Sequence, residues 1–210
     1  MSKELIFYTN PQSRGNTIQW MLEEVGAPYR TEILEYGTTM KSPEYLAINP
    51  MGKVPAIKHG DTIVTESAAI CAYLADAFPE AGLAPSPAER GAYYRWLFFT
   101  AGCVEHAWSN QAAGFIPSAE QQRMFGYGSY ELTVNTLVQA VKGRRYIAGD
   151  RFTAADVYVG RNVWFGIQFG KMGEYPELVA YWNGLKDRPA LARAEADIAQ
   201  ANAQNNTQQK

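Results

Sequence analysis

Residues 53–57 read Lys-Val-Pro-Ala-Ile, and the proline at position 55 stands at the start of an apolar, strand-like run. Proline has no backbone N–H to give to a sheet ladder, so strands accept it only at their first residue, at an edge or at a bulge. Pro55 therefore marks a place where a ladder ends. Downstream, Pro55–Lys58 and Thr62–Val64 bracket the turn-forming His59-Gly60-Asp61, which predicts a hairpin. Ile70, Tyr73, Leu74 and Ala77 then form a helical stripe. Upstream, Leu5–Tyr8 is a short apolar run followed by the turn-rich stretch from Thr9 to Asn16. Ile18, Met21, Leu22 and Val25 fall at i, i+3, i+4 and i+7 of a helix, which Gly26 and Pro28 end. Tyr29–Ile33 alternates like a strand, and the polar segment up to Gly52 holds at most a short helix at Pro43–Ile48. The order is strand, helix, strand, irregular segment, strand, strand, helix.

After Phe78 the composition changes. Residues 79–87 are rich in Pro, Ala and Gly and read as a linker. Beyond it lie helical segments at Ala88–Gln111, Ser118–Val141, Ala154–Phe169, Pro176–Lys186 and Pro189–Gln200. The expected organisation is an α/β domain over residues 1–78, an all-α domain over 88–200, and a disordered tail over 201–210. Thr153 and Asp156 have the spacing of a capping box, which gives Asp156 a structural role.

Bulk properties exclude several classes of function. A chain of 210 residues, 47% hydrophobic and 19% charged with a net charge of -2, describes a globular protein with room for real cores. No basic stripe exists to follow a nucleic-acid backbone, and no apolar run approaches the roughly 20 residues that span a bilayer. Neither nucleic acid nor membrane is an expected partner. The N-terminal Met-Ser-Lys-Glu-Leu-Ile-Phe-Tyr passes straight into a strand without the pattern of a secretory signal, so the expected compartment is the cytoplasm. Cys71 and Cys103 lack Cys-x-x-Cys spacing and read as buried small hydrophobes. His59 and His106 are too few for a metal site, so no metal is expected.

The order of elements, with Pro55 opening the hairpin, resembles the thioredoxin fold, in which this proline is cis and frees the backbone N–H and C=O of the residue before it. Val54 would then offer a backbone pair to a peptide-like ligand, in the manner of strand addition. In wider context, residues 49–79 (Asn-Pro-Met-Gly-Lys-Val-Pro … Thr-Glu-Ser … Phe-Pro) resemble the glutathione-binding half of the cytosolic glutathione transferases. The "FTAAD" box at 152–156 fits their helical half, so the resemblance covers almost the whole chain. It implies glutathione as co-substrate, a small hydrophobic electrophile or a peroxide as second substrate, a role in detoxification and a homodimer.

The residues suit that ligand on chemical grounds as well. Glutathione carries an ammonium and a carboxylate at its γ-glutamyl end and a second carboxylate at its glycyl end. Glu66 can take the ammonium, and Ser67 at a helix N-terminus can hold the adjacent carboxylate. Lys41 and Lys53 suit the glycyl carboxylate. In the family, the residue that activates the thiol lies just after the first strand. Ser13, near the predicted helix start, is the candidate here; Asn10 is its rival, and Arg14 adds positive potential. The absence of a cysteine from this region argues against members that form a mixed disulfide with glutathione, and favours conjugation or peroxide reduction. The resemblance places the electrophile between the domains, against aromatic residues such as Phe99, Trp108, Phe115 and Trp164. The alternative is a noncatalytic relative that uses the same scaffold to bind proteins.

Overall fold

The computed structural model describes residues 3–208. The chain divides into two compact units, one made of the residues up to Gly82 together with those from Arg188 onward, the other of Leu83–Asp187. In the first unit the elements are β1 (Leu5–Thr9), α1 (Gly15–Val25), β2 (Arg30–Ile33), α2 (Pro43–Leu46), β3 (Ala56–His59), β4 (Thr62–Thr65) and α3 (Ser67–Ala77). The sheet has four strands in the order β2-β1-β3-β4, with β1 parallel to β2 and antiparallel to β3, and β3 antiparallel to β4. This is a thioredoxin-like domain.

Local chemistry accounts for these elements. Leu5, Ile6 and Phe7 are buried on β1, and the predicted stripe Ile18, Met21, Leu22 and Val25 is buried on α1. Gly26 ends α1 at φ 67, its N–H donating to the Leu22 carbonyl at 3.0 Å, a left-handed stop that suits a residue without a Cβ. The Val54–Pro55 peptide is cis, and β3 begins one residue later, at Ala56.

In the second unit, α4 (Arg90–Phe99) continues through a π-helical stretch (Thr100–Val104) into α5 (Glu105–Ala112), along the single helix expected there. The expected helix over Ser118–Val141 is broken instead: α6 (Gln121–Met124) stops before Gly128, which takes φ 66. α7 (Tyr130–Val141) starts afresh, the Ser129 hydroxyl accepting from the Leu132 N–H at 3.1 Å. α8 (Ala154–Phe169) has the predicted bounds, with the Thr153/Asp156 capping box formed at its start. Buried Asp156 also accepts from the Ile147 N–H and the Tyr181 hydroxyl, each at 2.8 Å, so its role is structural. Burial pushes its carboxyl up while these hydrogen bonds pull it back. α9 (Pro176–Asn183) is the last helix of this unit, and α10 (Pro189–Gln208) belongs to the first.

α10 departs from the sequence reading in two ways. Its backbone is helical as far as Gln208 where a disordered tail was expected from 201, and positions 209–210 of that tail lie outside the described residues. It also belongs to the first unit, packed there on α1, where the helical domain was expected to extend to 200. Arg188 binds Glu24 through Nε at 2.6 Å and Nη2 at 2.8 Å, and Arg193 Nε reaches Glu23 at 2.7 Å. Among the described residues, no helix is long and apolar enough to cross a membrane, and no cluster of His, Cys, Asp and Glu could hold a metal.

Candidate glutathione site

Strand register determines which loops meet. Tyr8 on β1 pairs with Ala56 on β3, and Ala56 pairs with Thr65 on β4. The segments just beyond these residues, Thr9–Ser13, Val54–Pro55 and Glu66–Ser67, therefore leave the sheet at one end. Strand pairing thus brings segments far apart in the chain to the same end of the sheet.

The loop from β1 to α1 is closely braced. Buried Asn10 donates from Nδ2 to the Leu34 carbonyl at 2.8 Å and accepts from the Gln12 N–H at 2.9 Å, so both ends of its amide are engaged. Ser13 is half-buried. Its hydroxyl donates to the Asn10 carbonyl at 2.6 Å and accepts from the Gly15 N–H at 2.9 Å. The second bond gives Ser13 part of a capping role at the start of α1. A serine hydroxyl holds one proton, so donation to any ligand requires the Oγ–H bond to rotate away from the Asn10 carbonyl. A Cβ at Gly15 would collide with Thr9 Oγ1 and come within 2.9 Å of Ser13 Oγ, which explains the glycine.

Lys41 and Lys53, paired in the sequence reading, differ in the structure. Lys41 Nζ donates to the carbonyls of Met51 at 3.1 Å and Gly52 at 3.0 Å. Lys53 is exposed, and its carbonyl accepts from Tyr45 Oη at 2.5 Å and Asn49 Nδ2 at 2.8 Å. Sequence reasoning missed Tyr45 and Asn49; the only signal was the Asn49-Pro50 dipeptide, a turn marker.

Glu66 immediately precedes α3 at φ 66 and ψ 119, the one non-glycine residue at positive φ among those described, and its carboxylate makes no cap hydrogen bond. A non-glycine residue at positive φ outside the left-handed helical region costs on the order of 1–3 kcal/mol, and such residues are concentrated at binding sites. Exposed Glu66 is thus held in a strained conformation at the sheet end where Val54 and Ser13 also emerge. Ser67 follows as the first residue of α3, where backbone N–H groups and the helix dipole favour an anion.

The family model described as "Glutathione S-transferase, N-terminal domain" matches residues 3–76. Glutathione S-transferase A of Pleuronectes platessa is 33% identical over 162 residues, 72% of this chain and 72% of that protein. The chain belongs to the glutathione S-transferase family. A solved sphingomonad glutathione S-transferase, complexed with glutathione, is 27% identical with a TM-score of 0.75, covering 92% of this chain and 98% of that one. Elongation factor 1-gamma 3 of Oryza sativa is 26% identical over 188 residues, 86% of this chain but 45% of that protein's length.

This transferase-family chain has neither of its cysteines in the β1–α1 loop. Cys71 is fully buried on α3 and Cys103 is half-buried in the π-helical stretch; burial pushes both thiols up, away from the reactive thiolate. The four aromatic candidates all lie in the helical unit. Phe99 packs edge-on against Trp96 with centroids 5.5 Å apart, and exposed Phe115 packs edge-on against Phe125 at 5.9 Å. Half-buried Trp164 has Phe165 at 5.0 Å and the Arg161 guanidinium 4.1 Å from its ring centre. Trp108 is half-buried on α5, near Gly170, where an added Cβ would lie 3.0 Å from its Nε1.

Proposed function

We propose that this chain is a glutathione-dependent transferase that stabilises the glutathione thiolate for attack on a small hydrophobic electrophile or a peroxide. The observation that carries the reading is the gathering of Ser13, Val54 and the strained Glu66–Ser67 pair at one end of the sheet. Glu66 takes the γ-glutamyl ammonium, and Ser67 with the first N–H groups of α3 takes the adjacent carboxylate. The Val54 peptide, next to Pro55, pairs with the cysteinyl backbone, and Lys53 faces the glycyl carboxylate.

A free thiol with a pKa of about 8.5 is only a few per cent ionised at neutral pH. A hydrogen bond to a charged group contributes roughly 1.5–3 kcal/mol, and about 1.4 kcal/mol lowers a pKa by one unit. The Ser13 hydroxyl, turned from the Asn10 carbonyl to the sulfur, therefore suffices to bring the thiol near neutrality. In conjugation the thiol proton leaves to solvent, the sulfur lone pair forms the new C–S bond, and the leaving group departs with its bonding pair. Neither protein cysteine lies in the β1–α1 loop, so the nucleophilic sulfur is assigned to the co-substrate. Phe99, Trp108, Phe115 and Trp164 are the candidates for packing the apolar electrophile.

The working assembly is proposed as a cytoplasmic homodimer, with the α/β domain of one subunit on the long helices of the other. On α4, Tyr93 is 1% exposed and Trp96 and Leu97 are buried, whereas Tyr94 and Phe98 are 41% and 69% exposed with rings 6.3 Å apart. One apolar face is used within its own unit, and the other is open to a partner.

Retention on immobilised glutathione, followed by a conjugation assay with a reactive aryl halide, tests the reading. Retention with turnover supports it. Retention without turnover favours the noncatalytic alternative, which the resemblance to elongation factor 1-gamma keeps in view. Failure to bind glutathione refutes both the site and the reaction.

A further inference from the structure

We infer that a cavity walled by β2, α1 and α10 is a binding site for a small organic ammonium ion. None of the residues assigned to glutathione takes part in it.

The cavity lies within the first unit and measures about 220 Å³, against the roughly 10–15 Å³ that one water needs. Backbone geometry sets its walls. Tyr29, just before β2, shares one face with Thr31 and Ile33 by the period of two, and Gln19 faces them from α1. α10 closes the third side. Arg188, Arg193 and Asp197 meet Glu24, Glu23 and Gln19 in turn, so α10 runs antiparallel to α1 and brings Ile198 and Ala201 to the cavity. Part of the stretch expected to be a disordered tail is thus a wall.

Donors in these walls are spent inside the protein, and acceptors are left over. Gln19 is 7% exposed, and its Nε2 donates to the Tyr29 hydroxyl and, at 3.3 Å, to Asp197 Oδ2. The single Tyr29 proton goes to Glu23 Oε1 at 2.9 Å, and burial together with that carboxylate pushes the phenol up, so the proton stays. Arg193, the cation that α10 places beside them, is committed to Glu23 at 2.7 Å. Among the described residues nothing donates to Gln19 Oε1, and Asp197 forms no ion pair. A buried polar atom left in this way is costly unless a ligand or water meets it. The cavity therefore offers a carboxylate and an amide oxygen, with Thr31 and Asn16 able to serve as donor or acceptor. That set repels an anion and matches the three N–H donors of an ammonium, whose short alkyl stem lies against Ile33 and Ile198. One carboxylate is too few for a metal ion, and among the described residues no group of His, Cys, Asp and Glu could hold one.

Butylammonium, butanol and butyrate are probes of similar size and different charge. Butylammonium is expected to shift the amide resonances of residues 16–19, 29–33 and 197–201, and to bind about ten- to a hundredfold more tightly than butanol, the worth of a hydrogen bond to a charged group. Butyrate should not bind. Asp197→Asn removes the charge at constant size on an exposed helix position and should lose tenfold or more in butylammonium affinity; Ile33→Trp, which fills the cavity, should abolish binding. Glu66→Ala should bind butylammonium as the wild type does. Equal affinity for butylammonium and butanol, an unaltered Asp197→Asn, or resonances that move around Glu66 in place of the cavity would overturn the proposal. So would the absence of any shift, which leaves the cavity to water.

Discussion

Glu66 couples a binding role to a backbone cost, and substitutions there separate the two. Glu66→Ala and Glu66→Gly both remove the carboxylate proposed to meet the ammonium of glutathione. An interaction of this kind, a hydrogen bond between charged groups, is worth roughly 1.5–3 kcal/mol, so each variant is expected to bind glutathione about tenfold to somewhat over a hundredfold more weakly. Their stabilities should differ. At φ 66 and ψ 119, outside the left-handed helical region, the alanine keeps a backbone cost on the order of 1–3 kcal/mol that the absence of a Cβ relieves in part, while glycine loses about 0.4–1 kcal/mol through the greater freedom of its unfolded chain. Glu66→Gly should therefore be at least as stable as Glu66→Ala, by up to roughly 2 kcal/mol. Urea unfolding of the ligand-free proteins measures the stabilities, and calorimetric titration with glutathione measures the affinities. Near-wild-type affinity in a folded Glu66→Ala would remove Glu66 from the site. A Glu66→Gly variant less stable than Glu66→Ala would show that the backbone at this position carries no such cost.

Four further outcomes are expected. Ser13→Ala should leave glutathione affinity nearly intact but raise the pKa of the bound thiol by about one to two units, read from thiolate absorbance against pH; an unmoved profile rules out the hydroxyl as activator. Asp156→Ala leaves the buried donors of Ile147, Thr153 and Tyr181 without their acceptor, at about 1–3 kcal/mol each, and should destabilise the protein by several kcal/mol in denaturant unfolding; stability equal to wild type would contradict the capping role. Burial pushes the Tyr45 phenol from 10.0 to about 12, so the fold favours its neutral form. Stability from this group is complete below the ordinary tyrosine pKa and is lost as pH rises towards 12, so Tyr45→Phe should decline less steeply than wild type over that interval in urea midpoints; equal slopes would place the phenol in water. Sedimentation equilibrium should give twice the 23.3 kDa chain mass, and a single species at 23.3 kDa would refute the dimer.

The features legible beforehand were those whose partners lie a few residues apart. Gly26 ends α1 through a bond to Leu22, and Thr153 and Asp156 cap α8 across three residues. Pro55 stands just before β3, and Glu66-Ser67 opens α3. Each is decided by local backbone chemistry that residue type reports directly. The break before α7 was missed although its glycine was in plain view, because the apolar period continues on both sides of it.

Apolar spacing shows which face of a helix must be covered but not what covers it. Thr17, Gln19 and Trp20 are buried on α1 outside the predicted stripe, on a helix that packs against both α3 and α10. Arg188 reaches Glu24 across 164 residues, a pairing that no local pattern contains. The same holds for polar groups. Residue type shows that Ser13 can donate and that Lys41 carries charge, yet only the folded loops reveal that one proton points at the Asn10 carbonyl and that the ammonium holds Met51 and Gly52. Which of several possible partners a side chain takes depends on distances that exist only after the chain has closed on itself, and so tertiary structure decided the roles within the site while sequence decided where its parts would be found.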